Sequence, residues 1–291
     1  MNQLLERLLS HSPVVLDGAW GTELQARGLR PGESPDAWNL TRQDHVAAVA
    51  RAYADAGSEI VLTNTFGANR ITLKRFGLES RCGEINRRGV ELSKQGAAGR
   101  ALVFASMGPS GALVVSGETT EDELQSAFHE QAKALVAAGA DAIVVETMSD
   151  LGEAATAVAA AHSTGVPVVA CMSFYSGRAK DRTMMGVTPE DAAEALAAAG
   201  ADVIGANCGQ GIENYVPLCD RLKRSTSLPI WIKPNAGSPE LVDGKARYSD
   251  TPLHFASCVP PLRSAGASFI GGCCGTTPAY ILAIREVLQR R

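Results

Sequence analysis

No apolar run in this 291-residue chain approaches the ~18 residues that a membrane span needs, which excludes a transmembrane helix. A basic stripe is also missing. The 27 Lys and Arg stand against 31 Asp and Glu, a formal net charge of −4, so nucleic acid is not an expected partner. The opening residues, Met1-Asn2-Gln3-Leu4-Leu5-Glu6-Arg7, lack the charged-then-apolar layout of a secretory signal. Low-complexity sequence is absent. Seven cysteines, an odd number scattered over a long chain, do not read as the paired framework of a disulfide scaffold. What remains is ordinary globular composition, 45% hydrophobic and 20% charged, with length enough for a substantial core. The expectation is a soluble cytoplasmic protein with reduced thiols, and its cysteines need another explanation.

One phrase recurs along the chain. Ala56-Gly57-Ser58-Glu59-Ile60, Ala138-Gly139-Ala140-Asp141-Ala142, Ala199-Gly200-Ala201-Asp202-Val203 and Ala265-Gly266-Ala267-Ser268-Phe269 are its variants. Each follows an amphipathic, Ala-rich stretch and precedes a β-branched run, and glycine suits a helix end that needs positive φ. Between the phrases lie further apolar runs at Val14-Val15-Leu16, Ala101-Leu102-Val103-Phe104, Val166-Pro167-Val168-Val169-Ala170 and Leu228-Pro229-Ile230-Trp231-Ile232. Helical periodicity follows each strand, near residues 42–56, 81–97, 121–137, 151–163, 189–199, 213–225, 252–265 and 278–290. Strands so uniformly apolar are buried on both faces, as in a parallel sheet covered by helices. The pattern predicts an α/β protein, with residues 1–291 forming a single (β/α)8 barrel and nothing appended.

In such a barrel chemistry gathers where strands end and βα loops begin. The first strand ends in Asp17-Gly18-Ala19-Trp20, the second in Thr63-Asn64-Thr65-Phe66-Gly67, the third in Ser106-Met107-Gly108 and the fourth in Glu146-Thr147. The sixth ends in Asn207-Cys208-Gly209, the seventh in Pro234-Asn235-Ala236-Gly237, and the eighth in Gly271-Gly272-Cys273-Cys274-Gly275. The sixth and eighth strands belong to one alternating set, so their ends converge over one barrel layer. Adjacent Cys273 and Cys274 face one point only if the chain turns between them, and the flanking glycines permit that turn. Three thiolates at one point repel unless a cation is present, and sulfur ligands select zinc, with one tetrahedral position left open. A strained vicinal disulfide is the competing reading. Cys82, Cys171, Cys219 and Cys258 read as small buried hydrophobes. His129-Glu130 lacks the second histidine of a zincin, and Gly271–Thr277 lacks the lysine of a phosphate-binding loop.

With those residues placed, the chain resembles the homocysteine S-methyltransferase family over essentially its whole length. Leu16-Asp17-Gly18-Ala19, Thr63-Asn64-Thr65-Phe66, Glu146-Thr147, Gly205-Ala206-Asn207-Cys208 and Gly271-Gly272-Cys273-Cys274-Gly275 carry the resemblance. It implies that Cys208, Cys273 and Cys274 hold zinc and that homocysteine sulfur takes the open position. Asn235 matches a residue that fills that position while substrate is absent. Asp17, Gly18 and Glu146 match positions that hold the amino acid end of homocysteine, and Asn64, Ser106 and Asn207 are expected beside it. For Asn64 and Asn207, bracing the loops is an equal reading.

A free thiol has a pKa near ~8.5 and is mostly protonated at neutral pH, whereas a metal-bound thiol is deprotonated and can attack a methyl group. The resemblance points two ways on the donor. Trp38 falls at a loop tryptophan shared with betaine and S-methylmethionine users, and an indole face suits an onium cation; packing as a loop anchor is its other reading. Gly67 and Thr147 depart from the betaine enzymes, and residues 63–70 look like the methionine synthase module, which receives methyl from a corrinoid. A small onium donor is preferred, since the chain offers no room for a corrinoid or folate domain. A corrinoid protein acting in trans is the alternative, and a non-catalytic zinc- or thiol-binding barrel is disfavoured by Asp17 and Glu146.

Overall fold

The computed structural model describes residues 2–114, 116–242 and 245–289. Among the described residues ten strands run in chain order: β1 (Val14–Val15), β2 (Ile60–Val61), β3 (Leu102–Met107), β4 (Ala142–Met148), β5 (Val168–Met172), β6 (Val203–Gly211), β7 (Ile230–Asn235), β8 (Pro239–Val242), β9 (Lys245–Tyr248) and β10 (Ala267–Ile270). Eight of them form one parallel sheet in the order β1-β10-β7-β6-β5-β4-β3-β2. A parallel bridge between Leu16 and Ile60 joins its two edges. The result is the (β/α)8 barrel that the repeat predicts.

The recurring phrase has a physical basis. Gly57, Gly139, Gly200 and Gly266 all take positive φ, from 89° to 104°, at the turn from helix to strand. Two residues on, a polar side chain accepts a hydrogen bond from the backbone at the start of a neighbouring strand. Glu59 takes the N–H of Val15 (3.0 Å), Asp141 that of Val103 (2.8 Å), Asp202 that of Val168 (2.9 Å) and Ser268 that of Ile230 (3.4 Å). Each phrase therefore ends a helix and satisfies a backbone donor in the first two residues of a neighbouring strand.

Barrel-facing side chains follow period two. Phe104, Val144, Val203 and Trp231 fill the lower barrel, with the Trp231 ring 6.1 Å from Phe104 and 5.3 Å from Phe269. The other strand faces pack against the helices. Two residues beyond those apolar positions, at the same parity, lie Ser106, Glu146 and Lys233, and four beyond Val203 lies Asn207. The polar floor of the site thus continues the apolar core upward.

Long helices lie close to the predicted ranges, for example Gln43–Ala56, Cys82–Ala97, Glu121–Ala137 and Tyr215–Ser225. The helix expected over 252–265 divides into Pro252–Ser257 and Val259–Ser264. Pro260 and Pro261 lack the N–H groups that would carry one ladder across Cys258. Several elements lie outside the sequence reading, among them the short helices Trp20–Ala26, Trp38–Thr41 and Arg70–Lys74 in the upper loops. Helix Gln3–Leu9, capped by Asn2, plugs the lower end of the barrel with Leu5 and Leu8. The antiparallel hairpin β8–β9 returns the chain toward the upper end. Among the described residues, no helix is long and apolar enough to cross a membrane.

Asp202→Ala should leave the Val168 N–H without its carboxylate. A lowered urea midpoint, equivalent to about 1–3 kcal/mol, with catalytic constants unchanged is the expected outcome.

Candidate functional site

A cavity of about 520 Å³ opens at the carboxyl ends of the strands, where a barrel of this kind carries its chemistry. Cys208, Cys273 and Cys274 lie on its wall together with Glu146, Lys233, Gly18, Asn64 and Ser106. The three sulfur atoms lie within 4.8 Å of one another, and Cys208 Sγ is 3.7 Å from Cys274 Sγ. All seven cysteines are free thiols, so the vicinal disulfide is not formed. Cys82, Cys171 and Cys219 are buried as expected, whereas Cys258 is only half-buried.

Backbone turns aim the sulfurs. Cys208 sits in the left-handed region at φ 62°, a conformation that costs a non-glycine residue ~1–2 kcal/mol. Asn207 holds the turn: its Oδ1 accepts from the Thr147 N–H at 2.8 Å and its Nδ2 donates to Thr147 Oγ1 at 2.7 Å. Thr147 is itself left-handed, at φ 63°. The backbone of the vicinal pair is tied to β7, with the Cys273 N–H on Pro234 O and Cys274 O taking the Ala236 N–H. Gly275, at φ 81°, completes the turn, and a Cβ there would lie 2.2 Å from the Tyr248 ring at the end of β9.

The thiols are crowded. Shared hydrogen bonding with Cys273 pushes Cys208 up to about 12, contact with Cys208 pushes Cys274 up to about 11, and Cys273 rises too. Without a cation the cluster is therefore protonated, and a cation that binds there must displace protons. The donor chemistry suits a thiophilic metal ion. A second observation fits: Asn235 is buried, and its Oδ1 has no hydrogen-bond partner among the described residues. Its chain neighbours Pro234 and Ala236 are the residues bonded to the backbone of Cys273 and Cys274, which sets Asn235 beside the turn that carries the vicinal pair, although it does not line the cavity.

Beside the thiols lies a buried charge network. Glu146 Oε1 accepts from the Ser106 hydroxyl at 2.5 Å, and Oε2 faces Asn207 Nδ2 at 3.3 Å. Burial raises the Glu146 pKa, against the opposing pull of Lys233 and Ser106. Asp17 is committed within the protein. Its Oδ1 meets Lys233 Nζ at 2.5 Å, and its Oδ2 accepts from Trp20 Nε1 at 2.8 Å and from the Leu62 N–H at 2.7 Å. Burial opposes the Lys233 charge, but Asp17 and then Glu146 outweigh it and hold its pKa above the ordinary lysine value.

The expected residues divide by place. Gly18 lines the cavity and packs tightly behind it, since a Cβ there would lie 2.8 Å from Thr276 Oγ1 and Tyr53 OH. Asn64 reaches the cavity wall, but its Nδ2 is spent on Pro35 O at 2.7 Å and Asn39 Oδ1 at 2.9 Å, which is a bracing role. Asn207 braces as well, through Thr147. Trp38 is not brought to the cavity. Its indole is 7% exposed, packs 5.5 Å from the His45 ring and lines a neighbouring cavity instead. The physical reason is local: Trp38 opens the helix Trp38–Thr41, which turns it back onto Gln43–Ala56. Trp20, Phe66 and Phe76 are the aromatic walls. Sequence reasoning passed over Lys233, although a lone charge after Ile230-Trp231-Ile232, at inward parity, was a readable signal.

Comparisons with known proteins bear on the family and the fold. The homocysteine S-methyltransferase family model matches residues 14–288. Methionine synthase of Mycobacterium tuberculosis is 32% identical over 299 residues, and that of Mycobacterium leprae 30% over 305. These alignments cover 96% and 99% of this chain, which spans about a quarter of the length of either relative, 25% in each case. The crystal structure of the homocysteine methyltransferase MmuM from Escherichia coli in its metallated form is 27% identical. It superposes with a TM-score of 0.80 over 97% of this chain and 99% of that one.

Metal analysis of the purified chain should find one thiophilic ion per molecule. Cys274→Ala should lose most of it, and full occupancy in that variant would remove the cluster as a metal centre.

Proposed function

We propose a function from one premise: the chain belongs to the homocysteine S-methyltransferase family. On this reading the barrel, with residues 1–291 acting as one homocysteine-binding domain, moves a methyl group from a small onium donor to the homocysteine sulfur and so forms methionine. The observation that carries it is the meeting of three free thiols with buried Glu146 in one cavity. Zinc is the ion this sulfur set favours, and three protein ligands leave a tetrahedral position for the acceptor sulfur. When bound, zinc would supply the Lewis acidity that keeps a thiol deprotonated at neutral pH. Asn235 Oδ1, without a partner among the described residues, is the group to fill that position between turnovers.

The chain's own residues do the positioning. Glu146, held by Ser106 and Asn207, receives the acceptor's ammonium. Gly18 lines the wall, where its backbone can approach the amino acid end. Asp17 acts indirectly, by holding Lys233 and Trp20 in place. Fixing sulfur and methyl carbon in line is the main demand of such a displacement. The aromatic walls support an onium donor such as betaine or S-methylmethionine, because a desolvated cation gains from a ring face. A second reading, methyl delivered by a methylcorrinoid protein in trans, is favoured by the identity with the methionine synthases.

Glu146→Gln should keep its metal yet bind homocysteine at least tenfold more weakly, ~1.4 kcal/mol, by calorimetry. Equal affinity in variant and wild type would contradict the ammonium assignment.

Methionine formation should be measured with betaine, S-methylmethionine and a methylcorrinoid protein as donors. Phe66→Leu should cost roughly thirtyfold in kcat/KM for an onium donor, about 2 kcal/mol of lost cation–π contact. Trp38→Leu, outside the cavity, should leave that constant within about twofold and lower stability instead. Turnover with the corrinoid protein alone would select the second reading.

A further inference from the structure

We infer that Lys233 binds the carboxylate of the amino acid acceptor and makes the site selective for thiols that carry one. The inference deepens the function proposed above and rests on it. Lys233 has a side chain 2% exposed at the inward end of β7, yet it lines the cavity with Glu146 and the three thiols. A lysine ammonium has three N–H donors. Asp17 Oδ1 takes one, and among the described residues no other acceptor lies within hydrogen-bond reach. A buried cation with unsatisfied donors at a cavity wall is costly unless an anionic group meets it.

Asp17 is fully buried and off the cavity wall, with Lys233 on one oxygen and Trp20 and the Leu62 N–H on the other, so its charge is directed into the protein rather than toward a ligand. Of the other charged side chains on the cavity wall, Asp36 accepts from the Gly67 N–H and Arg75 donates to Ser110 O and Gly111 O, so the charged pair beside the thiols is Glu146 on β4 and Lys233 on β7, separated in the barrel by β5 and β6. An α-amino acid presents one cation and one anion a few bonds apart. Glu146 takes the ammonium and Lys233 the carboxylate, which sets the direction in which the acceptor's thiol chain leaves toward Cys208, Cys273 and Cys274. The competing role for Lys233 is that of a counter-ion only, offsetting Asp17 and Glu146 without touching the acceptor.

Calorimetric titration of the metal-loaded chain separates the two. The probes are L-homocysteine and 3-mercaptopropylamine, which is homocysteine without its carboxylate. Wild type should bind homocysteine at least about tenfold more tightly than the amine. Lys233→Met should erase most of that ratio by weakening homocysteine, while the amine binds as well as before or better. Because Lys233→Met leaves Asp17 buried without its partner, the Asp17→Asn, Lys233→Met double variant is titrated alongside, with circular dichroism reporting the fold. The same loss of ratio is expected there. An unchanged ratio in a folded variant, or equal affinity for the two thiols in wild type, overturns the inference and leaves the acceptor reading standing. A wild type that binds neither thiol overturns both.

Discussion

Asp17 is the buried carboxylate on which the cavity's walls depend. It draws together the end of β1, the first residue beyond β2, the end of β7 and the helix Trp20–Ala26, through Leu62, Lys233 and Trp20. Leu62 lies 45 residues from Asp17 in the chain and Lys233 lies 216. A buried carboxylate without partners would cost several kcal/mol, so each partner is held by the penalty of its absence. Lys233 in turn faces Glu146, which is steadied by Ser106 on β3 and Asn207 on β6. One chain of charges and hydrogen bonds therefore spans the barrel floor, beneath the space where a ligand would lie.

The thiols are set on that floor by backbone conformation. Cys208 occupies the left-handed region just past Asn207, and the turn through Gly275 brings the vicinal pair to meet it. Strain of this kind persists only where surrounding contacts over-determine it. Here Asn207 and Thr147 clamp one side, and the backbone of β7 clamps the other. Asn207 touches both Glu146 and the turn that aims Cys208, so under the proposed function the amino acid end and the thiol end of an acceptor would be measured from a common frame. That shared frame is what in-line transfer requires, because a displacement of about an ångström costs much of the rate.

Much of this was legible in the residues. The fourfold phrase carried two signals at once, a glycine for the helix end and a polar side chain two residues later for a strand donor, and the barrel follows from repeating them. The cysteine cluster and Glu146 stood at strand ends, where period-two inward parity and the barrel's rule for chemistry coincide. The helix near 252–265 was readable as helical, but the break at Cys258 depended on two prolines whose cost the periodicity hid.

Local pattern determined which residue types end each strand and which side of the sheet they face, because those properties follow from glycine conformation and from alternation. Pairing was decided by the closed barrel alone. Asp17 looked free to meet an ammonium until folding brought Lys233 to 2.5 Å from it. Trp38 looked like a cavity wall until the helix it opens turned its indole onto His45. Asn235 showed an oxygen without a partner among the described residues only once its neighbours were seen to hold the backbone of the vicinal cysteines. A buried charge chooses its partner by distance, and distances between residues more than two hundred positions apart exist only after the barrel has closed.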